Sequence, residues 1–204
     1  RRGSHRSAQH EGAPVTVQTY DYIVCGAGTA GCLLANRLSG DRTKRVLLIE
    51  AGGDDDYAWI HIPVGYLYCI GNPRTDWLYE TEPDAGLNGR VLRYPRGKVL
   101  GGSSSINGQI FQRGNPLDFE RWAADPGMDT WDYAHCLPYF KRMESCLAGA
   151  DEFRGGEGPL VLERGPATSP LFKAFFEAVQ EAGYPLTDDV IGYKQEGFAA
   201  FDRN

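Results

Sequence analysis

Residues able to do chemistry cluster early in this chain. Tyr22–Ile–Val–Cys25 runs into Gly26–Ala27–Gly28–Thr29–Ala30–Gly31, and Val46–Leu–Leu–Ile49 ends against Glu50. The order is apolar strand, Gly-x-Gly-x-x-Gly turn, helix, apolar strand, acid. That combination binds the pyrophosphate and ribose of a dinucleotide, because a glycine turn brings backbone N–H groups and a helix N-terminus up to the anion. Gly26 permits the sharp turn, Gly28 removes the Cβ that would hold the backbone off a phosphate, and Gly31 lets the helix lie close to the strand. Glu50 falls about 20 residues beyond the last glycine, where a carboxylate accepts ribose hydroxyls and repels a 2′-phosphate.

The elements that must position this turn are legible nearby. Leu34, Ala35 and Leu38 recur at helical spacing, so the helix is expected over about Thr29–Leu38, stopped by Ser39–Gly40–Asp41. From Ala51 to Tyr94 the chain is rich in Gly, Pro, Asp and aromatic residues, Trp59, Tyr66, Tyr68, Trp77 and Tyr79 among them, without period 2 or 3.6. A long aperiodic segment inside a compact domain is usually functional. It is expected to be a flap over a bulky cofactor, since a nicotinamide enzyme would continue with further strand–helix units here.

A second motif follows: Arg96–Gly–Lys–Val–Leu–Gly101–Gly102–Ser103–Ser104–Ser105–Ile106–Asn107–Gly108. Two glycines before three serines read as a helix entrance whose N–H groups and hydroxyls face a phosphate or a polar ring edge. With Ile49–Glu–Ala–Gly52, Gly71–Asn–Pro–Arg–Thr–Asp–Trp77, Thr81–Glu–Pro83, Arg113–Gly114, Asp118–Phe–Glu–Arg–Trp122 and Phe153–Arg–Gly–Gly–Glu–Gly–Pro–Leu160, the chain from Tyr20 onward resembles the glucose–methanol–choline (GMC) family of flavoprotein oxidoreductases, nearest its choline dehydrogenase and alcohol dehydrogenase branch.

The resemblance implies an α/β, Rossmann-like FAD-binding domain, α+β overall in the complete fold, interleaved with a substrate-binding domain. It divides the chain into a polar tail at 1–18, the FAD-binding part at 19–160 and the start of the substrate domain at 161–204. It implies flavin adenine dinucleotide held by Gly26, Gly28, Thr29 and Ala30 at the pyrophosphate, Glu50 and Ala51 at the adenosine end, Trp77 close by, and Gly97, Gly102, Asn107, Gly108, Gln109 and Ile110 along the pyrophosphate and isoalloxazine. Members with covalent flavin carry a histidine where this chain has Ile106, so the resemblance implies a non-covalent cofactor.

The reaction so implied is oxidation of a primary alcohol, choline-like or other, to an aldehyde, with a hydride passing to flavin N5 and the two electrons then passing to oxygen, a quinone or another acceptor. None of His5, His10, His61 and His135 sits in a matching motif. No catalytic residue is therefore assigned within this chain, and the histidine base is expected in a C-terminal remainder beyond Asn204. Non-redox and photochemical relatives on the same scaffold, hydroxynitrile lyases and a fatty-acid photodecarboxylase, stay open as alternatives, as does a cofactor-binding fragment without catalysis of its own.

Composition excludes other classes. A net charge of −6 argues against a nucleic-acid partner. No apolar run approaches about 18 residues, so no membrane span is expected. Five cysteines without Cys-x-x-Cys spacing offer no structural zinc site and suit a reducing, cytoplasmic compartment, with Cys25 and Cys32 as small core residues. The tail, with its arginines and serines, raises a mitochondrial or plastid transit remnant as the alternative. Arg96–Gly–Lys98 lacks P-loop spacing, and the serine run has no Gly-x-Ser-x-Gly elbow. Helices are expected over Pro116–Ala124, over Trp131–Ser145 behind an Asp132 cap, and from Pro170 to Gln180, the last with Leu171, Phe172, Phe175, Phe176 and Val179 forming a core face. A strand is expected over Gly158–Glu163.

Overall fold

The computed structural model describes residues 17–204. Residues 1–16, with His5, His10 and most of the polar tail, lie outside them. The backbone groups into two compact units that meet in sequence between Ile106 and Asn107.

In the first unit, strand β1 (Tyr22–Cys25), helix α1 (Thr29–Leu38) and strand β2 (Val46–Ile49) form the expected strand–helix–strand unit. β1 and β2 pair in parallel with Tyr22 opposite Val46 and Cys25 opposite Ile49. Helix α1 stops where Ser39 donates its N–H to Ala35. The pair is thinly covered: Ile23 is 60% exposed and Ile49 47%. Cys25 is exposed and Cys32 only half-buried, so they are not the core residues expected of them. The reason is geometric. One helix packs against two strands, and residues alternate between faces, so among the described residues only one face of the pair is covered.

The segment from Ala51 to Tyr94 is irregular but built. It holds 3-10 turns at Ala58–His61, Pro63–Gly65 and Ala85–Leu87, helix α2 (Tyr66–Cys69), and a two-residue antiparallel ladder of β3 (Tyr79–Glu80) with β4 (Arg93–Tyr94). Cys69, Val99 and Ile106 form its buried apolar centre, with Tyr57, Trp59 and Ile60 packed around them.

The second unit carries a four-stranded sheet ordered β5 (Ile110–Phe111), β8 (Asp202–Arg203), β7 (Leu160–Arg164), β6 (Glu144–Cys146). Helices α3 (Pro116–Ala123) and α4 (Tyr133–Met143) begin at Asn115 and Asp132, whose side chains accept the N–H groups of Leu117 and His135. Phe119 sits between them against Trp122, Tyr133 and Phe140, with ring centroids 5.2 to 5.7 Å away.

Two expectations are corrected in this unit. The helix read to Ser145 stops at Met143, because Glu144 turns extended (φ −105°, ψ 151°) and opens β6, parallel to β7. Its fully buried carboxylate is drawn between Arg113 and Arg154, 2.9 Å from each. Arg154 also lies 2.7 Å from Asp202, and Arg164 lies 3.0 Å from both Asp202 and Asp189. Three arginines and three carboxylates thus fill space that apolar side chains would otherwise occupy. Burial works against the Arg154 charge, yet the hydrogen bonds it donates to Glu144, Asp189 and Asp202 hold its pKa above the usual arginine value.

The second correction concerns helix α5 (Pro170–Glu181), capped by Ser169 as its sequence requires. Its aromatic face is not core within this unit. Leu171 is 79% exposed and Phe172 and Phe175 nearly half exposed, while Val179 alone of that stripe is buried. Phe175 meets Phe198 edge-on.

Candidate functional site

The glycine turn is assembled from three directions. Gly26 has φ +92°, a conformation that side chains resist, and donates its N–H to Ile49 at 2.7 Å, closing β1 on β2. Gly28 then occupies the N-cap of α1 with extended backbone (φ −73°, ψ −175°). No side chain caps the helix and no acid lies in its first turn. With no side chain spent on the cap, the dipole of this helix N-terminus favours an external anion there. A Cβ added at Gly26 or Gly28 meets nothing within 4 Å, so open space lies over the turn. At Gly31 the opposite holds: a Cβ would run into the carbonyl of Gly26, so this glycine serves helix–strand packing.

Glu50 does more than its position in sequence suggests. It lies just past β2, and its Oε2 accepts the N–H of fully buried Ala27 at 2.7 Å while Oε1 accepts that of Gly52 at 2.8 Å. The carboxylate thereby staples the turn to the end of the second strand, each oxygen keeping one further acceptor site.

The second glycine motif docks on the first. Gly101 (φ +87°) donates to the carbonyl of Ala27 at 2.8 Å and bridges Gly28 in parallel. A Cβ at Gly102 would lie 2.9 Å from the Gly28 Cα. Gly53 bridges Val99, with Leu100 donating to its carbonyl at 2.9 Å. A Cβ at Gly97 would strike the carbonyl of Gly102, and one at Gly52 the backbone of Lys98. Contacts without side chains thus bring the two motifs together across more than 70 positions of sequence. Gly52, Gly53 and Gly101 belong to this assembly without having been picked out as site residues. The signal available was the two glycine doublets, Gly52–Gly53 one residue behind Glu50 and Gly101–Gly102.

The serines correct a further expectation. Gly102–Ser105 is one 3-10 turn that ends at Ile106, not the entrance to a helix. Its hydroxyls are engaged with the chain itself: Ser104 donates to the Gly101 carbonyl and Ser105 to that of Leu100, both at 2.6 Å, and Ser103 accepts the Gly97 N–H at 3.1 Å. Short hydroxyl side chains bond back to nearby carbonyls and so compete with helix propagation. They shape the turn. Ile106 is 3% exposed in the apolar centre.

Trp77, 38% exposed, stacks on Tyr79 with ring centroids 5.7 Å apart and planes nearly parallel, under the Lys98 ammonium 4.7 Å from its centroid. Ala51 is exposed beside Glu50. In the second unit, Asn107 accepts the N–H of Gln109 at 2.9 Å, holding Gln109 at φ +62° just before β5. Gly108 and Ile110 are exposed, Ile110 by 60%.

His61 and His135 are held locally. His61 Nε2 is 2.6 Å from the Asp55 carbonyl, and His135 Nδ1 is 2.7 Å from its own cap, Asp132. Among the described residues no group of three or more His, Cys, Asp or Glu could hold a metal ion, and no helix is long and apolar enough to cross a membrane.

Residues 20–204 match the family model described as GMC oxidoreductase. The chain belongs to the GMC oxidoreductase family. Similar curated GMC relatives include an oxygen-dependent choline dehydrogenase of Staphylococcus saprophyticus, 55% identical over 190 residues that cover 91% of this chain and 34% of the relative. The Staphylococcus aureus enzyme of the same description is 54% identical over the same share of this chain and 33% of its own. Among solved structures, pyridoxine 4-oxidase from Mesorbium loti superposes with a TM-score of 0.84 at 36% identity, covering 91% of this chain and 36% of that one. A formate oxidase follows at a TM-score of 0.79 and 25% identity, covering 90% and 34%. The chain spans about a third of the length of the relatives it matches, and the GMC match takes in residues of both units.

Proposed function

We propose that these residues hold the flavin adenine dinucleotide of an alcohol oxidoreductase that converts a primary alcohol, choline or a close analogue, to its aldehyde. The observation that carries this is the docking of two glycine motifs around an uncapped helix N-terminus with open space above Gly28. When bound, the flavin supplies the hydride acceptor and passes electrons to oxygen or another acceptor. Oxygen is the acceptor we favour, because the similar curated enzymes are described as oxygen-dependent choline dehydrogenases.

The chain's own residues bind and orient. Gly26 and Gly28, with the N–H groups of Thr29 and Ala30, receive the pyrophosphate. Glu50 fixes the turn through Ala27 and Gly52, and its remaining acceptor sites take ribose hydroxyls beside Ala51. Gly97 and Gly102 present backbone alone, with Trp77 as an aromatic wall. Asn107, Gly108, Gln109 and Ile110 supply the isoalloxazine side, with Gln109 set in place by Asn107. Ile106 has no nucleophilic atom and is packed into the apolar centre, so the cofactor is held without a covalent bond. The flavin-binding portion extends from 19 to 160 and the substrate portion opens at 161, ahead of the partly exposed aromatic face of α5.

The test is anaerobic and in the dark. The complete purified polypeptide should be yellow, and adding choline or another primary alcohol should bleach the flavin band near 450 nm, on the order of one reduced flavin per site. Absence of flavin sinks the cofactor assignment; flavin that stays oxidised with every alcohol tried sinks the reaction and favours a lyase or photoenzyme.

A further inference from the structure

We infer that Asp76 is the positioning residue of the proposed flavin site: its buried carboxylate clamps the segment bearing Trp77 against the segment bearing Gly97. The inference rests on the flavin reading above and adds to it a residue that touches no cofactor.

Asp76 is 3% exposed, and its hydrogen bonds come from main chain. Oδ2 accepts the N–H of Gly71 at 2.8 Å, while Oδ1 accepts those of Leu78 at 3.0 Å and Arg96 at 3.1 Å. One carboxylate thereby ties its own loop, from Gly71 to Leu78, to Arg96, 20 positions further along the chain. Around it, Asp76 bridges Gly97 in antiparallel fashion, Trp77 donates to the Arg96 carbonyl at 2.9 Å, and Lys98 donates to that of Thr75 at 2.8 Å.

The clamp has a second consequence. Leu78 has φ +58°, a left-handed conformation that a branched side chain resists. Its N–H is captured by Asp76, which bends the chain between Trp77 and Tyr79 so that their rings stack and Lys98 lies over Trp77. Burial raises the Asp76 pKa, but N–H groups of Gly71, Leu78, Arg96 and Trp77 outweigh it and hold the carboxyl below its ordinary range. The group is an anion matched to its donors. Asparagine has the same shape but brings an NH2 group, which must oppose at least one of those three N–H donors.

The variants are made in the complete polypeptide, with FAD as the added probe. Asp76→Asn should raise the FAD dissociation constant about tenfold or more, as for loss of one hydrogen bond to a charged group. It should also reduce the quenching of tryptophan fluorescence by bound flavin and speed amide exchange at Gly71, Leu78 and Arg96 in the apoprotein. Adding Leu78→Gly should recover part of the lost affinity, because glycine adopts positive φ without strain. An Asp76→Asn protein that melts earlier yet binds FAD with unchanged affinity and quenching overturns the positioning role and leaves Asp76 a purely stabilising residue. Failure of the unaltered protein to bind FAD is a different result. It overturns the cofactor reading, and with it the role assigned to Asp76.

Discussion

Two glycines three positions apart should answer differently to the same methyl group, and the contrast separates binding from folding. At Gly28 the backbone is extended and an added Cβ meets nothing within 4 Å. Gly28→Ala should therefore leave the apoprotein as stable as before, or about 0.5 kcal/mol more stable through the lost freedom of the unfolded chain. The methyl group would instead occupy the space over the uncapped N-terminus of α1. If it breaks two charge-assisted hydrogen bonds from backbone to pyrophosphate, at about 1.5 kcal/mol each, FAD binding weakens by about 3 kcal/mol, on the order of a hundredfold. At Gly31 the same methyl group runs into the carbonyl of Gly26. Helix α1 must then lift from β1, at a cost of about 1 to 3 kcal/mol, lowering the melting temperature of the apoprotein by several degrees. The assay is titration of both apoproteins with FAD, alongside thermal melts without it. A Gly28→Ala protein with ordinary FAD affinity, or a Gly31→Ala protein with an ordinary melt, would refute the division of labour drawn here.

Other expectations follow from the remaining features. Glu144→Gln leaves Arg113 and Arg154 buried around a neutral amide and should cost about 3 to 5 kcal/mol, read as a lower urea midpoint at unchanged slope. Acid precipitation of the holoprotein should release the flavin into the yellow supernatant; colour retained in the pellet would contradict the non-covalent assignment drawn from Ile106. The stability contributed by Asp76 has a definite sign with pH. Its folded pKa lies below its ordinary value of 3.8, so the contribution is complete above that value and lost as pH falls through the lowered one. Between pH 5 and about pH 2 the unaltered protein should thus lose more stability than Asp76→Asn.

Much of the candidate site was legible before any fold was known. β1, α1 and β2 follow from apolar runs, glycine spacing and a stop signal within one short window, and the structure reproduces Tyr22–Cys25 and Thr29–Leu38. Asn115, Asp132 and Ser169 announce their helices by local capping chemistry. The serine run misled for an equally local reason. Its residue types suit a helix start, but their hydroxyls found carbonyls three to five positions back. The stripe on α5 has the spacing of a core face, yet spacing specifies which residues share a side and not whether anything covers it.

The amino-acid sequence by itself determined the dinucleotide turn, the acid behind it and membership of the GMC family, because those signals depend on residue type at short, set intervals. Only the tertiary structure decided how Glu50 is spent, how Gly101 and Gly102 meet the first motif, why Asp76 is buried, and that charge rather than hydrocarbon fills part of the second unit. Each of those joins groups that no local period relates. Glu50 reaches back 23 positions to Ala27, Arg96 reaches 20 to Asp76, and Arg164 reaches 38 to Asp202. Hydrogen bonds of that span exist only once the backbone has closed, so the chain carries their donors and acceptors in plain view without disclosing which will pair.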